Sequence, residues 1–160
     1  VSRPDSMLGK PLVETVAIDT PVHNAGLFGS HGGYVNVTDG RYVYMRAPAE
    51  PANSPLFEYT LMPTHMRGRF SMAELADVQL AEPFSFTKGC RTLKIPARSN
   101  RSAYDFGSML FDLSTDPGQE HPLVDDEVER RMIALMLELM RANDAPQEQY
   151  QRLGLPAISS

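Results

Sequence analysis

The chain has 160 residues, which suits a single domain, and 42% of them are hydrophobic, so that a core can form. The formal net charge of −5 argues against nucleic acid as a partner, because nucleic-acid binders are usually basic. The single cysteine excludes a disulfide framework within the chain, and no apolar run reaches the roughly 18 residues that predict a membrane span.

Residues 1–24 contain Pro4, Pro11 and Pro21 and show no regular hydrophobic period. This pattern predicts an extended arm with one short turn at most. We interpret the arm as a connector and expect the folded domain to occupy residues 25–160. The first residue is not methionine, so we also expect the chain to be a fragment of a longer protein.

The chain from Ala25 onward has the character of a β protein interrupted by helices. Asp39 and Gly40 separate two stretches rich in aromatic and β-branched residues, and this pair predicts a type I′ hairpin turn with positive φ at both positions. Six such stretches or shorter apolar runs predict strands: residues 25–29, 34–38, 41–46, 56–63, 91–97 and 108–114.

Two helices carry clear signals. Ser71 and Glu74 match a capping box, which predicts a helix that begins after Ser71 and ends before Pro83. The longer helix is predicted at 126–142, with Asp126 as its cap, Glu129 as the N3 partner and Arg141 near its C-terminus. Its apolar stripe consists of Val128, Met132, Ile133, Leu135, Leu137, Leu139 and Met140.

A stripe of this width must be buried against a sheet. A final short helix is predicted between Asp144 and Gly154. Together these elements predict an α+β fold, in which a small antiparallel sheet of about four strands has the long C-terminal helix packed on one face.

No catalytic or metal site emerges from the sequence. Cys90 has no histidine or aspartate near it in the chain, and a lone cysteine is most often a small buried hydrophobe. The four histidines lack zinc-site spacing. The acidic stretch that begins at Asp112 has Pro117 and Leu123 where a calcium loop needs glycine and glutamate.

The candidate binding residues are His31, His65 and Arg67. His31 stands among glycines in GSHGG, and glycines let a backbone approach a ligand closely. The alternative is a tight connection in which His31 is exposed or satisfied by a carbonyl. His65 and Arg67 fall in a predicted loop, where binding groups are common, and both residue types donate to oxyanions.

Three stretches of the chain resemble, in the same order, the C-terminal part of the sulfatases of the alkaline phosphatase superfamily. PDSMLGKPL, with Pro4, Gly9 and Leu12, is similar to the connector after the catalytic core, and HGGYVNVTDGRYVYMR is similar to the hairpin of the smaller sheet. LFDLSTDPGQEHPLV is similar to the late strand and acidic turn, L-Y-D-L-x-x-D-P-x-E-x-x-N-L. The matching residues are Leu110, Phe111, Asp112, Leu113, Asp116, Pro117 and Glu120.

This last stretch departs from the family pattern in three ways. Phe111 stands for tyrosine, one extra residue precedes Glu120, and the usual asparagine is missing. The family's nucleophile, a Cys or Ser converted to formylglycine in a C/S-x-P/A-S/A-x-R-like context, has no match around Cys90.

The resemblance implies that residues 1–24 lead from a missing N-terminal catalytic domain and that residues 25–160 are a sulfatase C-terminal-type subdomain. The formylglycine and a divalent metal, calcium or magnesium, would belong to the missing domain, so this chain alone is expected to be inactive. The parent would cleave the sulfate ester of an anionic small molecule or sugar. In the parent, His31, His65 and Arg67 are the candidate substrate contacts, and the free fragment is expected to self-associate.

Two alternatives stay open on these residues. The parent could be a phosphonate monoester or phosphodiester hydrolase of the same superfamily, because the residues that discriminate lie in the missing domain. The chain could also be a non-catalytic binding or interaction module with a cleft of its own.

Overall fold

The computed structural model describes residues 9–19, 21–62, 64–65, 67–99 and 103–156. None of the helices in this part of the chain is long and apolar enough to cross a membrane. The helices are α1 (Leu12–Ile18), α2 (Met72–Leu75), α3 (Asp126–Ala142) and α4 (Gln147–Arg152). The strands are β1 (Gly26–Gly29), β2 (Val35–Thr38), β3 (Tyr42–Arg46), β4 (Phe57–Thr60), β5 (Thr64–His65), β6 (Gly68–Arg69), β7 (Gln79–Ala81), β8 (Thr92–Pro96) and β9 (Met109–Asp112).

Four strands form the main sheet in the order β1-β2-β3-β9, and every neighbouring pair is antiparallel. Val37 of β2 stands opposite Tyr44 of β3, and Tyr44 stands opposite Leu110 of β9. Residues paired across strands point to the same side of a sheet, so these three side chains form one row. Helix α3 covers the row, which confirms the predicted α+β fold with the long helix on one face of the sheet.

Helix α3 has the predicted bounds, but its cap lies one residue earlier than predicted. Asp125, not Asp126, has the extended backbone of an N-cap. The Asp125 carboxylate accepts the backbone N–H groups of Glu127 and Val128, both at 3.0 Å, because these are among the donors that the first turn leaves unpaired. The buried residues of α3 are spaced four apart: Met132, Met136 and Met140. The predicted stripe omits Met136, which is fully buried.

The hairpin between β2 and β3 turns one residue later than predicted. The Asp39 N–H donates to the Tyr42 carbonyl at 3.4 Å. Gly40 and Arg41 are therefore the central residues, and of these only Gly40 has a positive φ, of 92°. This is the pattern of a type II′ turn, so the predicted type I′ turn on Asp39 and Gly40 is wrong. The Asp39 carboxylate explains the shift, because it accepts the N–H groups of Arg41 and Tyr42 and so precedes the turn.

The N-terminal arm contains a helix, α1, where the sequence predicts an extended segment with one short turn at most. Pro11 and Pro21 flank the helix, so they set its limits and do not prevent it. Its large apolar side chains are mostly exposed, between 71% and 82%: Leu12, Val13, Val16 and Ile18. Pro4, part of the connector resemblance, lies outside the described residues.

A second antiparallel sheet has the order β4-β8-β7, and β5 pairs with β6 in a small hairpin where the sequence predicts a loop. The predicted capping box is confirmed, because the Ser71 hydroxyl accepts the Glu74 N–H and Glu74 accepts the Ser71 N–H. The predicted helix is nevertheless too long. It ends at Leu75, since residues 79–81 pair with β8 as strand β7.

The stretch after β9 forms an acidic turn held by two aspartates. Asp112 accepts the Arg41 Nη2 donor at 2.7 Å and the Ser114 hydroxyl at 2.6 Å. The Arg41 guanidinium is the main reason that the pKa of Asp112 lies well below its usual range. Asp116 accepts the backbone N–H groups of Glu120 and His121. The carboxylates of this stretch therefore shape the chain reversal between the sheet and α3.

We expect Gly40→Val to destabilise the chain by about 1–3 kcal/mol, because a β-branched residue is strained at positive φ. No atom lies within 4 Å of the position that a Cβ would take, so the change tests backbone strain and not a clash. Urea denaturation measures the difference. Gly26→Val is the matched control, since Gly26 has equally open surroundings in β1 without a positive φ. Equal unfolding free energies for Gly40→Val and the parent would contradict the turn assignment.

Candidate functional site

A surface groove of about 570 Å³ runs along β4 and the small β5–β6 hairpin. We call it the histidine groove, because His31 and His65, two of the three predicted binding residues, line it. Its lining comes from four segments of the chain: His31, Phe57, Glu58, Tyr59, Thr60, Thr64, His65 and Phe70. The fold thus brings together two histidines that are distant in the sequence.

His31 reaches the groove from the connection between β1 and β2. Its Nε2 atom lies 3.3 Å from the Phe57 carbonyl oxygen of β4, and the side chain is exposed. Gly32 has a φ of 68°, and a Cβ there would lie 2.3 Å from the Ser99 Cβ, so only glycine fits this connection. The tight connection and the carbonyl together hold the imidazole at the groove.

His65 lies at the other end of the groove between two carboxylates. Its Nε2 is 2.8 Å from Glu74 Oε1, and its Nδ1 is 3.9 Å from Glu58 Oε2. The ring also packs on Phe70, with 3.9 Å between ring centroids. Because both ring nitrogens face carboxylates, this end of the groove is acidic.

Glu74 links the capping box of α2 to the groove. The Ser71 backbone N–H, the Ser71 hydroxyl and His65 together lower the pKa of Glu74 from 4.5 to about 2. Hydrogen bonds to the charged form of a carboxylate favour that form. Glu74 is therefore ionised at neutral and mildly acidic pH, and it holds His65 against the start of α2.

Arg67, the third predicted residue, is not brought to this site. It lies exposed in the turn between β5 and β6 and is not among the described residues that line the groove. Whether it contacts a substrate in a larger protein stays a prediction.

The sequence alone does not predict the cluster of Tyr59, Lys94 and Glu148, which lies beside the groove. Lys94 of β8 pairs with Tyr59 of β4 in the register, and Lys94 Nζ lies 2.6 Å from Glu148 Oε1 of α4. The Tyr59 hydroxyl also donates to Glu148. Burial and the hydrogen bond to Glu148 raise the pKa of Tyr59. Burial alone would raise the pKa of Glu148, but bonds from Lys94 and Tyr59 outweigh it and lower that pKa.

The arrangement of the groove suits binding and orientation of a ligand. Among the described residues, no three histidines, cysteines or acidic residues are grouped closely enough to hold a metal ion. Cys90 is exposed and is absent from the described lining of the groove. A substrate in the groove would therefore meet hydrogen-bonding imidazoles and carboxylates, but no cysteine nucleophile from the described residues.

No family model, curated protein or solved structure matches this chain. The HGG stretch supplies His31 to the histidine groove and runs on into β2, so this stretch and the groove belong to the same part of the fold.

We expect the contribution of Glu74 to stability to depend on pH. Its pKa is lower in the folded chain, so its contribution is present above about pH 4.5 and is lost as the pH falls toward 2. The difference in unfolding free energy between the parent and Glu74→Gln should shrink over that range in urea titrations. Glu138→Gln, on the exposed side of α3, is the control for the same change of side chain. A pH-independent difference for Glu74→Gln would contradict the interpretation.

Proposed function

We propose that the chain is the C-terminal subdomain of a sulfatase-like hydrolase and forms part of the wall of its substrate pocket. The observation that carries the proposal is the histidine groove, in which His31 and His65 lie on one surface. Imidazoles donate hydrogen bonds to the oxygens of an anionic ester. The described residues supply binding groups, and catalysis would come from a separate domain.

The positions in the fold of the two stretches that resemble sulfatases support the proposal. HGGYVNVTDGRYVYMR forms β2 and β3, and LFDLSTDPGQEHPLV forms β9 and the acidic turn. Although these stretches are far apart in the sequence, β3 and β9 are neighbours in one sheet. The Arg41–Asp112 ion pair joins the two stretches directly.

Helix α1 also fits a subdomain that packs against another domain. Its exposed apolar side chains form a patch of the kind that marks an interaction surface. In the proposal, residues 1–24 lead from the catalytic domain, and that domain covers α1. The same patch accounts for the expected self-association of the chain when it is alone.

The chemistry that the chain lacks would come from the parent. A formylglycine and a divalent metal, calcium or magnesium, would supply the nucleophile and the stabilisation of charge on the ester oxygens. In the proposal, the residues that hold this metal belong to the other domain. In this division of labour, His31 positions the substrate and Glu58 and Glu74 hold His65.

Two tests separate this proposal from its alternatives. The coding sequence upstream of Val1 should contain a C/S-x-P/A-S/A-x-R-like motif, and a reading frame without one would favour a non-catalytic binding module. If the motif is present, a full-length enzyme that cleaves 4-nitrophenyl phenylphosphonate but not 4-nitrophenyl sulfate would identify the parent as a phosphonate monoester hydrolase.

We expect 4-nitrophenyl sulfate to shift the imidazole NMR signals of His31 and His65 saturably when it is titrated into the chain. His31→Ala should weaken binding about three- to tenfold, as the loss of one hydrogen bond does, with little change in Tm because the side chain is exposed. His121→Ala, outside the described lining of the groove, is the matched control. Equal shifts with 4-nitrophenol would show that the sulfate group is not recognised and would contradict the proposal.

A further inference from the structure

A second cavity, of about 400 Å³, lies between the main sheet, β4 and the adjoining ends of α3 and α4. We call it the arginine cavity, because Arg152 lines it. Much of its wall is apolar, including Leu27, Leu56 and Met140. No acidic side chain is among the described residues that line it. Its volume falls in the range of small-molecule sites.

Arg152 is a buried cation without an anionic partner in the described part of the chain. It is 2% exposed. Its Nε donates to Gln149 Oε1 at 3.0 Å, and its Nη1 donates to Asn53 Oδ1 at 2.8 Å and to the Gly33 carbonyl at 3.3 Å. All three acceptors are neutral, and none of the ion pairs among the described residues includes Arg152. A buried charge without a counter-charge is costly.

Two polar groups beside the arginine cavity have hydrogen-bonding capacity that no described residue uses. None of the bonds of Arg152 to described residues uses Nη2, and a guanidinium has five N–H donors. Tyr34 also lines the cavity, and its hydroxyl is buried without a hydrogen-bond partner among the described residues. Buried polar groups in this condition are uncommon in folded proteins. The guanidinium and the hydroxyl are therefore donors placed beside an apolar wall.

We propose that the arginine cavity binds a small anion carried on an apolar body, such as an aryl or alkyl carboxylate. The anionic group accepts hydrogen bonds from Arg152 and Tyr34, and the body packs on Leu27, Leu56 and Met140. This ligand supplies both the counter-charge that Arg152 lacks and the apolar surface that fills the cavity. The proposal needs neither His65 nor a catalytic domain, although His31 lines both the arginine cavity and the histidine groove.

The alternative role of Arg152 is purely structural. Its bonds to Gly33 and Asn53 tie α4 to two connections of the chain. If the role of Arg152 is purely structural, the charge of a ligand should have no effect on its binding. The proposal predicts the opposite, so ligand charge is the quantity to vary.

The first experiment titrates 3-phenylpropionate and its neutral amide, 3-phenylpropanamide, into the full chain by isothermal titration calorimetry. The carboxylate should bind at least about tenfold more tightly than the amide, which corresponds to about 1.4 kcal/mol. Inorganic sulfate alone should bind more weakly than 3-phenylpropionate, because it lacks the apolar body. Backbone amide NMR shifts at Ala145 and Gln149, without shifts at Thr64 and His65, place the ligand in the arginine cavity and not in the histidine groove.

The second experiment uses Gln149→Glu, which places a carboxylate at the oxygen that Arg152 Nε already contacts. This variant supplies the missing counter-charge inside the protein, so it should raise Tm and abolish the preference for the carboxylate over the amide. Gln151→Glu is the matched control, because it makes the same charge change on an exposed position of α4. The control should retain the preference of the parent.

Three results would overturn the proposal. The first is the absence of saturable binding of 3-phenylpropionate up to about 10 mM, ten times the weakest dissociation constant commonly tabulated for binding. The second is equal affinity for the carboxylate and the amide in the parent chain. The third is a folded Gln149→Glu variant that keeps the parent's preference. The comparison of the two ligands needs no substitution, so it decides the matter even if a variant fails to fold.

Discussion

The packing of α3 on the main sheet is the interaction on which the rest of the structure depends. The buried residues of this interface come from both elements: Val37, Tyr44, Leu110, Met132, Met136 and Met140. Burial of one such side chain contributes about 1.5–3 kcal/mol, and unbranched methionines adapt to the irregular surface of a twisted sheet. For α3 to reach this face, the chain must reverse directly after β9. Asp112 and Asp116 make that reversal, so the acidic motif makes the packing of α3 on the sheet possible.

The end of α3 fixes the start of α4. The same interface therefore also determines where the histidine groove and the arginine cavity form. Tyr150 and Leu153 of this C-terminal segment join the core on α3, and Arg46 of β3 donates to the Leu153 carbonyl at 2.8 Å. On the opposite side, Arg152 reaches the connection between β1 and β2, and Glu148 reaches β4 and β8. Helix α4 thus joins the main sheet to the second sheet, and the arginine cavity lies at that junction beside the histidine groove.

The sequence predicts those features that local chemistry determines. The bounds of α3 follow from a helical apolar period, and the capping box of Ser71 and Glu74 follows from spacing alone. The sequence does not predict the features that depend on contacts between residues far apart in the chain. Helix α2 stops early because its continuation pairs with β8, and the role of Arg152 arises only when distant residues enclose it. The candidate site shows the same division, since residue chemistry indicates His31 and His65, but only the fold shows that they share a groove.

The histidine groove and the arginine cavity have opposite electrostatic character, although His31, Phe57 and Tyr59 line both. At one end, Glu58 and Glu74 surround His65, and at the other the guanidinium of Arg152 has no described counter-charge. The carboxylates around His65 therefore repel an anionic group, which leaves His31 as the contact for such a group in the histidine groove. His31 lies on the wall that the histidine groove and the arginine cavity share, so a change of its side chain alters both.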